Sequence, residues 1–129
     1  MIRVMIVAES AEIRGGLRTL MSFSEILVVT DASAEPDDAA ALASRDPPHI
    51  ILVDLEMPAG WAALRCLASL SPPIPVVALT AHDYPEVRSL VAFFGGWGVL
   101  IKGLDLTGME AAIRAVVGEP GKEIHERPA

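Results

Sequence analysis

Short apolar runs alternate along the chain with segments whose apolar residues recur every three or four positions, and Pro and Gly separate the two kinds. RVMIV (3–7), EILVVTD (25–31), the apolar half of HIILVDLEMP (49–58), VVALT (76–80) and GVLIK (98–102) predict strands. Several are apolar without alternation, the mark of a strand covered on both faces. Between them, Ile13, Leu17, Leu20 and Met21 fall at helical spacing despite the helix-weakening pair Gly15-Gly16. Pro36, Asp37 and Asp38 suit the start of a short Ala-rich helix. Leu64, Leu67 and Leu70 stripe a third helix, and Val87, Leu90, Val91 and Phe94 a fourth that Gly95-Gly96 ends. Leu106, Met109, Ile113, Val116 and Val117 stripe a fifth. Residues 119–129 lack periodicity and are expected to be a frayed terminus or the start of a linker.

Strand–helix repeats with doubly apolar strands imply an α/β fold: a parallel sheet with helices on both faces and right-handed crossovers. At 129 residues this is one domain. An apolar fraction of 52% with 21% charged residues excludes a disordered chain. No apolar stretch reaches the roughly 18 residues of a spanning helix. MIRVMIV is too short for a signal-peptide core, so a cytoplasmic address and no membrane partner are expected. The net charge of −7 argues against direct binding of nucleic acid, which needs a basic face. The lone cysteine, Cys66, has no redox or metal partner and reads as packing.

In open parallel sheets, function gathers beyond the carboxyl ends of the strands. Ala8, Glu9 and Ser10 stand there after the first strand, Asp54 and Glu56 at the third, Thr80, Ala81 and His82 at the fourth, and Lys102 at the fifth. An acid ending a buried strand can merely cap the following loop. Two acids, a hydroxyl and an amine converging on one edge suggest chemistry instead.

IRVMIVAES, ILVDLEMP, ALTAH and GVLIKG resemble the receiver domains of bacterial two-component response regulators. The likeness is nearest to the N-terminal receivers of regulators with a LuxR/NarL-type helix-turn-helix output domain, and it spans about residues 2–118. It implies a flavodoxin-like (βα)5 doubly wound sheet of strand order 2-1-3-4-5, with residues 1–118 as the receiver. Asp54 is then the phosphoacceptor, fed by a sensor histidine kinase. Thr80, Ala81 and Lys102 contact the phosphoryl group, and Glu9, Asp54 and the Glu56 carbonyl hold Mg²⁺. Such a domain is a signalling element and not an enzyme. It signals through the face made by helix four, strand five and helix five, by homodimerisation, and controls transcription through an output domain that is not in this chain. DNA is contacted only through that domain.

Several positions depart from the family's pattern. Ala8 stands where a second acid is usual, so weaker Mg²⁺ binding is expected, and Glu9 is one methylene longer than the commoner Asp. Val99 replaces the usual aromatic switch residue. The Pro58–Gly60 loop is about two residues short, and Gly103 follows Lys102 in place of Pro. These changes raise a second reading, an atypical pseudo-receiver that binds partners without phosphorylation. A remoter one is a small phosphatase like the haloacid dehalogenases, with Glu56 as general acid. Phe93 and Trp97, with Val99, are the candidate interface residues; the competing reading folds the two aromatics over the sheet edge as core.

Overall fold

The computed structural model describes residues 1–118. The elements alternate as β1 (Ile2–Val7), α1 (Ala11–Met21), β2 (Leu27–Ser33), α2 (Pro36–Arg45), β3 (Ile50–Asp54), α3 (Gly60–Ala68), β4 (Val76–Thr80), α4 (Pro85–Phe93), β5 (Gly98–Ile101) and α5 (Leu106–Val117). All strand pairs are parallel, in the order β2-β1-β3-β4-β5. The expected (βα)5 topology is therefore the observed one.

Alternate residues of each strand feed two cores. Met5, Val7, Ile51, Val53, Val76 and Ala78 pack on one face with Ala39, Ala43, Leu64, Leu67 and Val91, which brings α2, α3 and α4 to that side. Val4, Ile6, Ile50, Leu52, Val77, Leu79 and Leu100 face the other way, against Met21, Met109 and Ile113 of α1 and α5. Each fully buried Ile or Leu contributes roughly 1.5–3 kcal/mol, so a one-residue slip of β3, buried along its whole length, is prohibitive. That rigidity fixes where the strand's last residue, Asp54, stands.

β4 begins and ends where the apolar run does, whereas β2 starts two residues late and ends two residues late. The Ser24 hydroxyl accepts from the N–H groups of Ile26 and Leu27, folding 24–26 into a turn. Val4 pairs with Val29 but Met5 with Asp31, so Thr30 is an extra residue in a bulge and the ladder continues to Ser33. Three helix readings also need correction. Leu90 is 47% exposed and Leu70 lies beyond the end of α3, so neither belongs to its helix's buried stripe. Cys66 is exposed on the outward side of α3 and is not a packing residue.

Helix starts follow local chemistry. Ser10 caps α1 by accepting from the Ile13 N–H, and Asp105 caps α5 by accepting from Gly108. At the start of α3, a Cβ on Gly60 would collide with the Leu55 carbonyl oxygen and lie 2.7 Å from that of Asp54. The short β3–α3 turn is therefore folded tightly against the end of β3, as only Gly permits.

Candidate functional site

Among the described residues, the only buried polar or charged ones are Asp54 and Thr80, at 3% and 1% exposure. Asp54 pairs with Leu79 across the β3–β4 ladder, so the two stand side by side at the sheet's carboxyl edge. A buried carboxylate needs compensating partners. Asp54 Oδ1 lies 2.6 Å from Lys102 Nζ and accepts from the Glu56 N–H at 3.1 Å. Lys102 follows directly on β5, its own N–H donating to the Thr80 carbonyl, so its side chain reaches across the end of β4 to β3. Gly103, with a φ of 93°, then turns the chain away.

The β4–α4 loop leaves from the same edge. Thr80 Oγ1 accepts from the His82 N–H at 2.9 Å. The Ala81 N–H donates to Glu56 Oε1 at 2.6 Å, and Lys102 Nζ is 3.5 Å from that oxygen. Burial pushes the Glu56 carboxyl up. The Ala81 amide, the Thr80 hydroxyl and the Lys102 ammonium outweigh it and hold the pKa below the ordinary carboxylate value. Asp54, Glu56, Thr80, Ala81 and Lys102 thus form one hydrogen-bonded group. The His82 ring is exposed and stacks on Tyr84 at 6.2 Å, so only its backbone N–H joins that group.

Glu9 stands apart. It is exposed after β1, while Ala8 is fully buried and supplies no oxygen beyond its backbone. The Arg14 guanidinium turns back from α1 and donates to the carbonyls of Ala8 and Glu9, at 2.6 and 2.8 Å. Among the described residues, no three His, Cys, Asp or Glu side chains group to hold a metal ion. Mg²⁺ usually requires only one or two carboxylates and keeps several waters. Asp54 at the end of β3 and Glu9, two residues beyond the neighbouring β1, are the two carboxylates that could serve such a set, and the Arg14 guanidinium on the Glu9 carbonyl adds a positive charge that opposes it.

Two contacts of this edge were not foreseen from sequence. Glu56 enters through its carboxylate, bonded to a residue 25 positions away, and Arg14 covers the end of β1. A basic residue one turn into a helix whose preceding strand lacks an acid was the available signal for Arg14. Nothing local marked the Glu56 carboxylate as a partner of Ala81.

The aromatic residues divide. Phe93 is 80% exposed, touching Phe94 edge-on at 5.5 Å, and Phe94 in turn meets Trp61 at 5.7 Å. Trp97 is half-buried and packs into the α1/α5 core, whereas Val99 leans on the opposite one. Trp97 and Val99 also line a shallow groove of about 190 Å³ with Arg88, Val91 and Gly96 at the β5 edge. The candidate interface is thus a protruding Phe93 beside a half-closed groove.

A family model described as the response regulator receiver domain matches residues 4–114. The transcriptional regulatory protein DegU of Brevibacillus brevis is 27% identical over 128 residues, covering 98% of this chain and 54% of that protein. A protein-glutamate methylesterase/protein-glutamine glutaminase 2 of Saccharophagus degradans is 36% identical over 90 residues, covering 66% of this chain and 26% of that one. The chain therefore spans about half the length of the first relative and about a quarter of the second. In structure it is similar to a LuxR-family two-component response regulator from Aurantimonas sp. SI85-9A1. The TM-score is 0.78 at 24% identity, covering 89% of this chain and 84% of that one.

Proposed function

Because the chain belongs to the response regulator receiver domain family, we propose that Asp54 accepts a phosphoryl group from the phosphohistidine of a sensor histidine kinase. The observation that carries this is the buried Asp54 carboxylate, held by Lys102 at 2.6 Å beside the buried Thr80. Oδ1 is engaged by Lys102 and the Glu56 amide, which leaves Oδ2 to attack. The new O–P bond forms as the P–N bond of phosphohistidine breaks, and the imidazole nitrogen keeps the electron pair. Lys102 and Thr80 then meet the charge on the phosphoryl oxygens, with the Ala81 N–H as a further donor. Glu9, Asp54 and the Glu56 carbonyl are the groups that would hold Mg²⁺, which would offset the repulsion between carboxylate and phosphoryl group.

We take residues 1–118 as the receiver and the α4–β5–α5 face, with Phe93, Trp97 and Val99, as the surface read by a second copy. Residues 119–129 lie outside the described part of the chain. Control of transcription, and any DNA contact, is assigned to an output domain outside this chain, in keeping with the half-length match to DegU. The methylesterase match covers only a quarter of that enzyme, so its activity is not carried over. No helix of the described residues is long and apolar enough to cross a membrane, in keeping with a cytoplasmic regulator. Glu56, bonded to Ala81 and near Lys102, has its pKa held below the ordinary carboxylate value and so carries no proton for a leaving group, which argues against the haloacid dehalogenase reading.

The test is intact-mass measurement after incubation with acetyl phosphate, with and without Mg²⁺. One added phosphoryl group that needs Mg²⁺ and vanishes in Asp54→Ala is expected. Absence of any adduct moves the chain to the pseudo-receiver reading, which Ala8 and the closed Lys102–Asp54 pair favour.

A further inference from the structure

Two donors converge on one anion at the sheet edge. The Ala81 N–H donates to Glu56 Oε1 at 2.6 Å, and the Lys102 ammonium lies 3.5 Å from the same oxygen. Both are groups assigned above to the phosphoryl oxygens. We propose that the Glu56 carboxylate is the resident anion of the phosphoryl pocket, and that a phosphoryl group enters only when Glu56 swings out.

The argument is one of hydrogen-bond capacity. A backbone amide has a single proton, so the Ala81 N–H cannot serve Glu56 and a phosphoryl oxygen at full strength together. Carboxylate and phosphoryl oxygens are both anionic acceptors that such donors bind strongly, so the two compete for one position. Glu56 competes from inside the chain. A group on a short tether acts at an effective concentration on the order of mM or above, which a free anion must match. The side chain is about one-third exposed, so it can leave without opening the core.

The same contact ties two loops together. Glu56 belongs to the β3–α3 turn and Ala81 to the β4–α4 loop, which the phosphoryl group would otherwise link. Glu56 therefore holds the Thr80 loop in place without phosphate. Replacing it should both free the pocket and loosen that loop.

The inference rests on Asp54 being the phosphoacceptor, and the test separates the two ideas. Wild type, Glu56→Gln and Glu56→Ala are incubated with acetyl phosphate and Mg²⁺, and the initial rate of adduct formation is read by intact mass. In that reaction Asp54 oxygen bonds to phosphorus as acetate leaves with the electron pair. In parallel, inorganic phosphate is titrated while the Ala81 amide is followed by ¹⁵N–¹H NMR, which also verifies the fold of each variant.

Glu56→Ala should form adduct roughly tenfold faster than wild type, in line with removal of a tethered competitor. Glu56→Gln, which keeps an oxygen for Ala81 but no charge for Lys102, should fall between. The Ala81 amide should shift with phosphate in Glu56→Ala and not in wild type. Equal adduct rates in all three proteins would overturn the gate and leave the phosphoacceptor standing. No adduct in any, with phosphate shifting Ala81 only in Glu56→Ala, would uphold the gate and remove the phosphoacceptor. No adduct and no shift in any of them would remove both.

Discussion

Lys102 Nζ sits 2.6 Å from Asp54 Oδ1 although their strands are not neighbours: β4 runs between β3 and β5. The ammonium thus spans the end of the strand that carries Thr80, and the buried acid is neutralised by a cation from two strands away. Removing one partner of such a pair leaves the other uncompensated.

Lys102→Met should therefore destabilise the fold by about 1–2 kcal/mol, below the ~3–5 kcal/mol of a fully buried pair because Lys102 is about a quarter exposed. Asp54→Asn in the Lys102→Met background should recover most of that loss. A double-mutant cycle from urea unfolding measures it. Additive effects of the two substitutions would mean that the pair is not coupled.

The residues of this pair were legible from sequence because parallel strands deliver their last residues to one edge, and runs such as VVALT end in view. Hydrophobic periodicity does not see hydrogen bonds. The Ser24 turn and the Thr30 bulge moved β2 by two residues without altering its apolar pattern. The Glu56 carboxylate was read as a general acid in one reading and its carbonyl as a metal ligand in another, but not as a partner of Ala81, because that contact crosses a loop boundary and exists once β3 and β4 are paired. The split of Phe93 from Trp97 had the same origin: where the Gly95-Gly96 turn sends each ring is set by tertiary packing.

Gly60→Ala tests the tight turn after β3. The new methyl would meet the carbonyl oxygens of Leu55 and Asp54, backbone atoms that cannot rotate aside. A loss of about 2 kcal/mol is expected, the scale of a strained backbone site. If Asp54 is the acceptor, adduct formation should also slow. Gly15→Ala is the control, since nothing lies within 4 Å of its Cβ and helix propensity favours Ala by about 1 kcal/mol. Thermal unfolding should place the two variants on opposite sides of wild type.

His49 supplies a pH dependence. Its Nδ1 accepts from the Arg3 N–H at 2.8 Å, joining the starts of β1 and β3. Arg3 also pairs with Asp46 at 2.6 Å. Burial lowers the His49 pKa from 6.5, with Arg3 and the amino terminus adding to the effect. The unfolded chain therefore takes up a proton near pH 6.5 that the folded chain still refuses, so stability falls as pH drops below that value and levels off once the folded imidazole titrates. Wild type should lose Tm below pH 6.5 more steeply than His49→Asn, whose amide oxygen can accept from Arg3 without titrating. Parallel curves for the two proteins would exclude His49 as the source.

Phe93 and Phe94 are adjacent in sequence and opposite in consequence. Phe93 is 80% exposed and its removal uncovers only one edge of Phe94, so Phe93→Ser should change stability by no more than about 0.5 kcal/mol. Phe94 is half-buried between Trp61 and Phe93, and Phe94→Ala should cost about 2 kcal/mol. An apolar ring left in water on the α4 side is explicable if a partner covers it. Under the dimer reading, Phe93→Ser should weaken self-association of the acetyl phosphate-treated protein while leaving its Tm intact, as sedimentation velocity over a concentration series can resolve. Unchanged association in Phe93→Ser, with Val99→Ser equally silent, would place the partner surface elsewhere on the molecule.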